Sequence, residues 1–152
     1  MDVAVINSFI AAVTDVMPQL GFGSIIIKNQ LEKSKKIVAS GIVLTLGIVG
    51  EKKGNVAYAI DTEGAKQIAS IMMMGMPVEE LDDMAKSAIS ELSNMLTANA
   101  SINLSNESIN VDISPPTMLT GENIELSMSK EEVMCVEFDI DGIKLEVNVA
   151  LD

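Results

Sequence analysis

The sequence contains no histidine, no arginine and no tryptophan, and only one cysteine. Each absence removes a class of chemistry. Without histidine the chain lacks the commonest general base and the commonest metal ligand. Ser-His-Asp catalysis and histidine-bound zinc are therefore excluded. All 10 cationic residues are lysines, set against 22 acidic ones, for a net charge of −12. Nucleic-acid binding needs clustered cations that neutralise phosphates. An anionic membrane surface needs the same, so neither is expected as a partner. Cys135 has no second cysteine to pair with, which suits a reducing, cytoplasmic setting. Between Met134 and Val136 it reads as a small strand residue without chemistry. Met1 to Ala4 has no basic stretch and does not read as a secretory signal. The longest uncharged, mostly apolar run, Ile37 to Gly50, falls short of the roughly 18 residues of a spanning helix. Its β-branched residues and glycines point to a strand.

What is present is ample core material. Of 152 residues, 48% are hydrophobic. A chain of this length buries roughly 68–70% of its unfolded surface as one domain, here expected to span 1–152. Ile6, Phe9, Ile10, Val13, Val16, Met17 and Leu20 draw one stripe at helical period, ended by Gly21 and Gly23. Segments 24–31, 37–49 and 55–60 are rich in isoleucine and valine and read as strands. Gly50 to Gly54 forms the turn between the last two. Asp61 or Thr62 caps a short helix running to about Met74, and the run Met72 to Met76 reads as flexible core filling. Pro77 is expected to open a second long helix, with Glu79, Glu80, Asp82 and Asp83 in its first turns, ending near Ala100. Strands follow at 108–113 and 123–128, then at 132–140 and 143–150 about an Asp141-Gly142 turn, a strong hairpin signal. The whole predicts an α+β fold: a largely antiparallel sheet, two long helices packed on it and a faint two-fold duplication of its halves.

On a wheel, Leu81, Ala85, Ala88, Ile89, Leu92, Met95 and Leu96 gather on the core side of the second long helix. Opposite, within an arc of roughly 80°, lie Glu80, Asp83, Ser87, Glu91, Asn94 and Ala98. Glu91 and Asn94 are three residues apart, about 4.5 Å along the axis, and both point outward. The small side chains of Ser87 and Ala98 leave room for another protein to approach. Asn99 leans back towards the core, where it is expected to hydrogen-bond backbone.

The stretch Ser87-Ala88-Ile89-Ser90-Glu91-Leu92-Ser93-Asn94-Met95 resembles the signature of the CheC, CheX and FliY phosphatases. In that signature an Asp or Ser precedes Glu by four residues, Asn follows three later, and a proline lies downstream, here Pro115 or Pro116. Ile6-Asn7-Ser8-Phe9 is similar to the opening common among CheX proteins, and Pro115-Pro116-Thr117 followed by Gly121 adds to the likeness. The resemblance implies a phosphatase acting on the aspartyl phosphate of a CheY-like response regulator. Asn94 would orient the attacking water and Glu91 would anchor the helix on a regulator lysine. Mg²⁺ would come with the regulator, and no cofactor of the chain's own is implied. An amide can serve this reaction, because in-line phosphoryl transfer is mainly positioning and electrostatics. The first helix offers Asp15 and Gln19 but no Glu-x-x-Asn, so one site per chain is expected. That departs from CheC and agrees with CheX, whose members form homodimers through their sheets. The alternative is a non-catalytic module of the same fold that binds or sequesters the phosphorylated regulator.

Other clusters are bland. Glu137, Asp139 and Asp141 lack the regular spacing of a calcium loop and read as an acidic turn. Lys33, Lys35 and Lys36 read as a solvated turn. Gly41, Gly47 and Gly50 lack the setting of a phosphate loop. Ser114, before two prolines, reads as a turn residue.

Overall fold

The computed structural model describes residues 2–152. Its first helix, α1 (Val3–Gln19), is capped by the Asp2 carboxylate, which accepts from the Ala4 N–H at 3.0 Å. It buries Val5, Phe9, Ala12, Val13, Val16 and Met17 along one face. Strands β1 (Ile25–Lys33), β2 (Lys36–Gly50) and β3 (Gly54–Ile60) follow, then the short α2 (Thr62–Met72). Asp61 caps α2, accepting from the Gly64 N–H at 2.6 Å. The long α3 (Asp83–Asn106) leads to β4 (Val111–Ile113), β5 (Thr117–Ser127), β6 (Val133–Ile140) and β7 (Ile143–Leu151).

All seven strands join one antiparallel sheet in the order β1-β6-β7-β3-β2, with β4 and β5 sharing the far side of β2. With β4 and α2 set aside, exchanging β1 with β5, β2 with β6 and β3 with β7 returns the same order. The two halves are thus topologically equivalent, with α1 and α3 as counterparts.

Alternation sorts the sheet's side chains onto two faces. Leu44, Leu46, Tyr58, Val147 and Val149 face the helices and form the main core with α1 and α3. Val43, Ala57, Ala59 and Ala150 point the other way and are nevertheless buried. The long β2 explains this. Only Ser34 and Lys35 separate the end of β1 from the start of β2, yet the two strands lie four places apart, about 19 Å. The first part of β2, paired with the end of β5, therefore crosses the helix-free face as a ribbon. Ile37, Ile124, Leu126 and Met128 close over the alanines. The crossing turns at Gly41, where the register shifts and φ is +108°. A Cβ there would lie 2.5 Å from the Ile60 carbonyl oxygen, so only glycine fits.

Several expectations are corrected. Pro77 does not open α3; residues 77–82 are irregular, and Asp82 is the cap, accepting from the Ala85 N–H at 2.9 Å. Glu80 therefore lies before the helix. The helix also continues past Ala100 to Asn106, because Ala100 and Leu104 extend the buried stripe of Leu92 and Leu96. Strand β5 begins at Thr117, six residues before the expected 123. Met72 and Met73 pack against the core, but Met74 and Met76 stand in solvent. Asn99 bonds a side chain rather than backbone: its carbonyl accepts from the Asn103 amide at 3.0 Å, and that amide also donates to the Ser8 carbonyl at 3.0 Å. Among the described residues no helix is long and apolar enough to cross a membrane.

Candidate functional site

Helix α3 is fixed from behind. Ala85, Ile89, Leu92, Leu96, Ala100 and Leu104 are buried against the sheet and α1. Each fully buried leucine contributes roughly 1.5–3 kcal/mol. At mid-helix the Thr97 hydroxyl donates to the Ser93 carbonyl at 2.7 Å and lies 2.8 Å from the Tyr58 hydroxyl on β3. Burial pushes the Tyr58 phenol far above its usual range, so it remains a neutral hydrogen-bonding group. One turn of α3 is thereby pinned to the sheet beside Asn94.

The opposite face carries the predicted residues. Ser87, Glu91 and Asn94 line one open groove together with Asp83, Lys86, Ser90, Pro116 and Met118. Glu91 and Ser87 are exposed and Asn94 half-buried. Among the described residues neither the Glu91 carboxylate nor the Asn94 amide has an intramolecular hydrogen-bond or ion-pair partner. Both are left available to a second molecule.

The groove's other wall comes from the far edge of the sheet. Ser114 ties the double-proline turn to β2: its N–H donates to the Gly47 carbonyl at 2.9 Å, and its hydroxyl accepts from the Gly47 N–H at 2.7 Å. This is the turn role expected of Ser114. Of the two prolines, Pro116 lines the groove and Pro115 is not among the lining residues. Lys86, Ser90 and Met118 were not singled out from the sequence. Lys86 and Ser90 sit four apart on the row that ends at Asn94, a spacing that could have marked them. Met118 enters only through the β2–β5 pairing.

Two aspartates of the acidic turn are engaged. The Asp141 carboxylate accepts from the Gly23 N–H at 2.9 Å and the Ser24 N–H at 2.8 Å, and Asp139 accepts from the Gly142 N–H at 2.8 Å. They bind backbone, as an acidic turn should. Cys135, Glu137 and Glu146 bring their ligand-type atoms within 4.8 Å of one another on the helix-free face. Two ammonium groups already serve that cluster, Lys33 at 3.6 Å and Lys144 at 3.9 Å from Glu146. Burial raises the Cys135 thiol to about 11, so it is protonated and a poor ligand. The donor set suits an ion-pair cluster better than a metal.

The family model for chemotaxis phosphatase CheX matches residues 42–139. The CheY-P phosphatase CheX of Thermotoga maritima is 30% identical over 133 residues, covering 83% of this chain and 81% of that one. A CheX–CheY–BeF3–Mg²⁺ complex from Borrelia burgdorferi contains a chain 27% identical, with a TM-score of 0.83 and 97% of each chain covered. The CheX structure from Desulfovibrio desulfuricans superposes with a TM-score of 0.86 at 20% identity, covering 97% of this chain and 99% of that one.

Proposed function

This chain belongs to the CheX family of chemotaxis phosphatases, and from that premise we propose that it accelerates hydrolysis of the aspartyl phosphate of a CheY-like receiver, with Asn94 positioning the attacking water. The observation that carries this reading is the pair of unpartnered side chains, Glu91 and Asn94, on the outer face of a helix pinned through Thr97 and Tyr58. A neutral amide can both donate to and accept from one water, holding it in line with the phosphorus–oxygen bond that breaks. A rigid helix contributes the orientation. Glu91 pairs with a cationic side chain of the receiver beside the phosphate and sets how far the helix inserts. That pairing offsets part of the repulsion between a chain of net charge −12 and an anionic substrate. Mg²⁺ is the receiver's, in keeping with its presence in the Borrelia complex of CheX with CheY.

The domain so proposed spans 1–152 and works in the cytoplasm, where phosphorylated receivers reside. It forms a homodimer through its sheet. The β1 edge, with Ile26 and Ile27 exposed, supports that geometry. The test is steady-state phosphate release from Mg²⁺-bound phosphorylated CheY. Wild type should accelerate it, and Glu91→Ala and Asn94→Ala should each remove most of the acceleration. Tight binding with no acceleration by wild type would favour the sequestering module instead.

A further inference from the structure

The connection from α2 to α3 displays apolar side chains that the fold does not use. Met74 is 96% exposed, Met84 63% and Met76 56%. A single exposed apolar residue needs no explanation, but Met76 and Met84 line one groove together, with Met74 on the loop just before it. That groove has a volume of about 330 Å³ and is lined by Met73, Met76, Pro77, Val78 and Met84 together with the acidic Glu79, Glu80 and Asp82. Among the described residues neither glutamate has an ion-pair partner. The loop is held in place, because the Met74 N–H donates to the Ile71 carbonyl at 3.1 Å and the Gly75 N–H to the Ser70 carbonyl at 2.8 Å.

Its position relates it to the candidate site. Met84 precedes Glu91 by seven residues, which places it about 20° away around the axis of α3 and about 10.5 Å nearer the N-terminus. Asp83, the next residue back, lines the groove that holds Glu91 and Asn94. The two grooves meet across the first turn of α3.

We propose that the methionine groove is a second docking site for the same receiver that presents its aspartyl phosphate to Asn94. It takes an apolar receiver side chain flanked by lysine or arginine. The proposal rests on the functional reading above. Methionines are unbranched and polarizable, and they adapt to an apolar side chain entering from outside. The unpaired glutamates of its lining select cationic neighbours. They also argue against a second copy of this chain, since a two-fold contact through this groove would set Glu79 and Glu80 against themselves. An acidic protein acting on a phosphate gains attraction from cations that lie away from the phosphate.

Phosphate release is measured over a range of Mg²⁺-bound phosphorylated CheY concentrations with the full chain. Wild type is compared with Met76→Ser/Met84→Ser, Glu79→Lys/Glu80→Lys and Asn94→Ala. The serine pair should raise KM about tenfold and leave kcat within about twofold, as loss of uniform binding does. The lysine pair should raise KM most at low salt, with the gap to wild type closing as salt rises. Wild-type KM in both pairs, with Asn94→Ala inactive, overturns the docking groove and leaves the functional reading standing. Full turnover by Asn94→Ala overturns both. A wild-type oligomer lost in the serine pair, measured by sedimentation, assigns the groove to a second copy and also overturns the proposal.

Discussion

Helices α1 and α3 occupy equivalent places in the two halves of the sheet, and both are amphipathic, yet only one carries an exposed Glu-x-x-Asn. On their inner faces they are alike: Phe9, Val13 and Met17 from one and Ile89, Leu92 and Leu96 from the other meet in a single core. Their outer faces differ. Helix α1 shows Asn7, Thr14, Asp15 and Gln19 to solvent, while α3 shows Ser87 and Glu91 beside Asn94. The loops beside them differ too. Before β5 the double-proline turn leaves Pro116 beside Glu91 and Asn94. Before β1, the equivalent loop has its Gly23 and Ser24 N–H groups bound by Asp141. A scaffold with two equivalent positions therefore needs only a few outward residues and one loop to make one of them a candidate site.

The comparison can be broken most forcefully by charge. Glu91→Lys should raise KM for phosphorylated CheY by about a hundredfold, because it places a cation against the receiver's own. Asp15→Lys on α1 should leave turnover within about twofold, and a large loss from it would put the working face on the wrong helix. Next comes the shared inner face. Leu96→Ala should cost about 3 kcal/mol in denaturant unfolding, in the usual range for a buried leucine. Smaller again is the pin behind the site. Tyr58→Phe removes the contact to Thr97, whose hydroxyl keeps its bond to the Ser93 carbonyl, so the cost should be about 1 kcal/mol. That corresponds to about 2–4 °C in Tm for a chain of this size.

The smallest effect at neutral pH concerns Cys135, buried on β6. Burial raises its thiol from 9.0 to about 11. The folded state then holds its proton more tightly than the unfolded state. Its contribution is fully present below pH 9 and is lost as pH rises towards 11. Cys135→Ala should flatten the stability profile between those values. An unchanged slope would mean that the thiol is not buried as described.

Local signals carried much of this structure. The α1 stripe, the Asp61 cap and the Asp141-Gly142 turn each depend on a few neighbouring residues. Helical spacing alone marks Glu91 and Asn94 only as outward polar residues, and they are singled out by the resemblance of residues 87–95 to the CheC, CheX and FliY signature. The start of α3 was misread because Pro77 and four carboxylates all suit a first helical turn, and the choice of Asp82 as cap depends on where Ala85 must be buried. The β2–β5 ribbon was illegible because the crossing is a long-range pairing, and a strand of 15 residues looks the same whether flat or folded over. Met118, on the groove's far wall, inherits that difficulty, as does the choice of Pro116 over Pro115.

The most direct test is single-turnover decay of phosphorylated CheY at saturating concentrations of wild type and Asn94→Ala, with receiver binding measured in parallel. The account predicts at least a hundredfold slower decay in the variant, about 2.7 kcal/mol of transition-state stabilisation, with binding unchanged within a few-fold. Equal decay by the two proteins would contradict it.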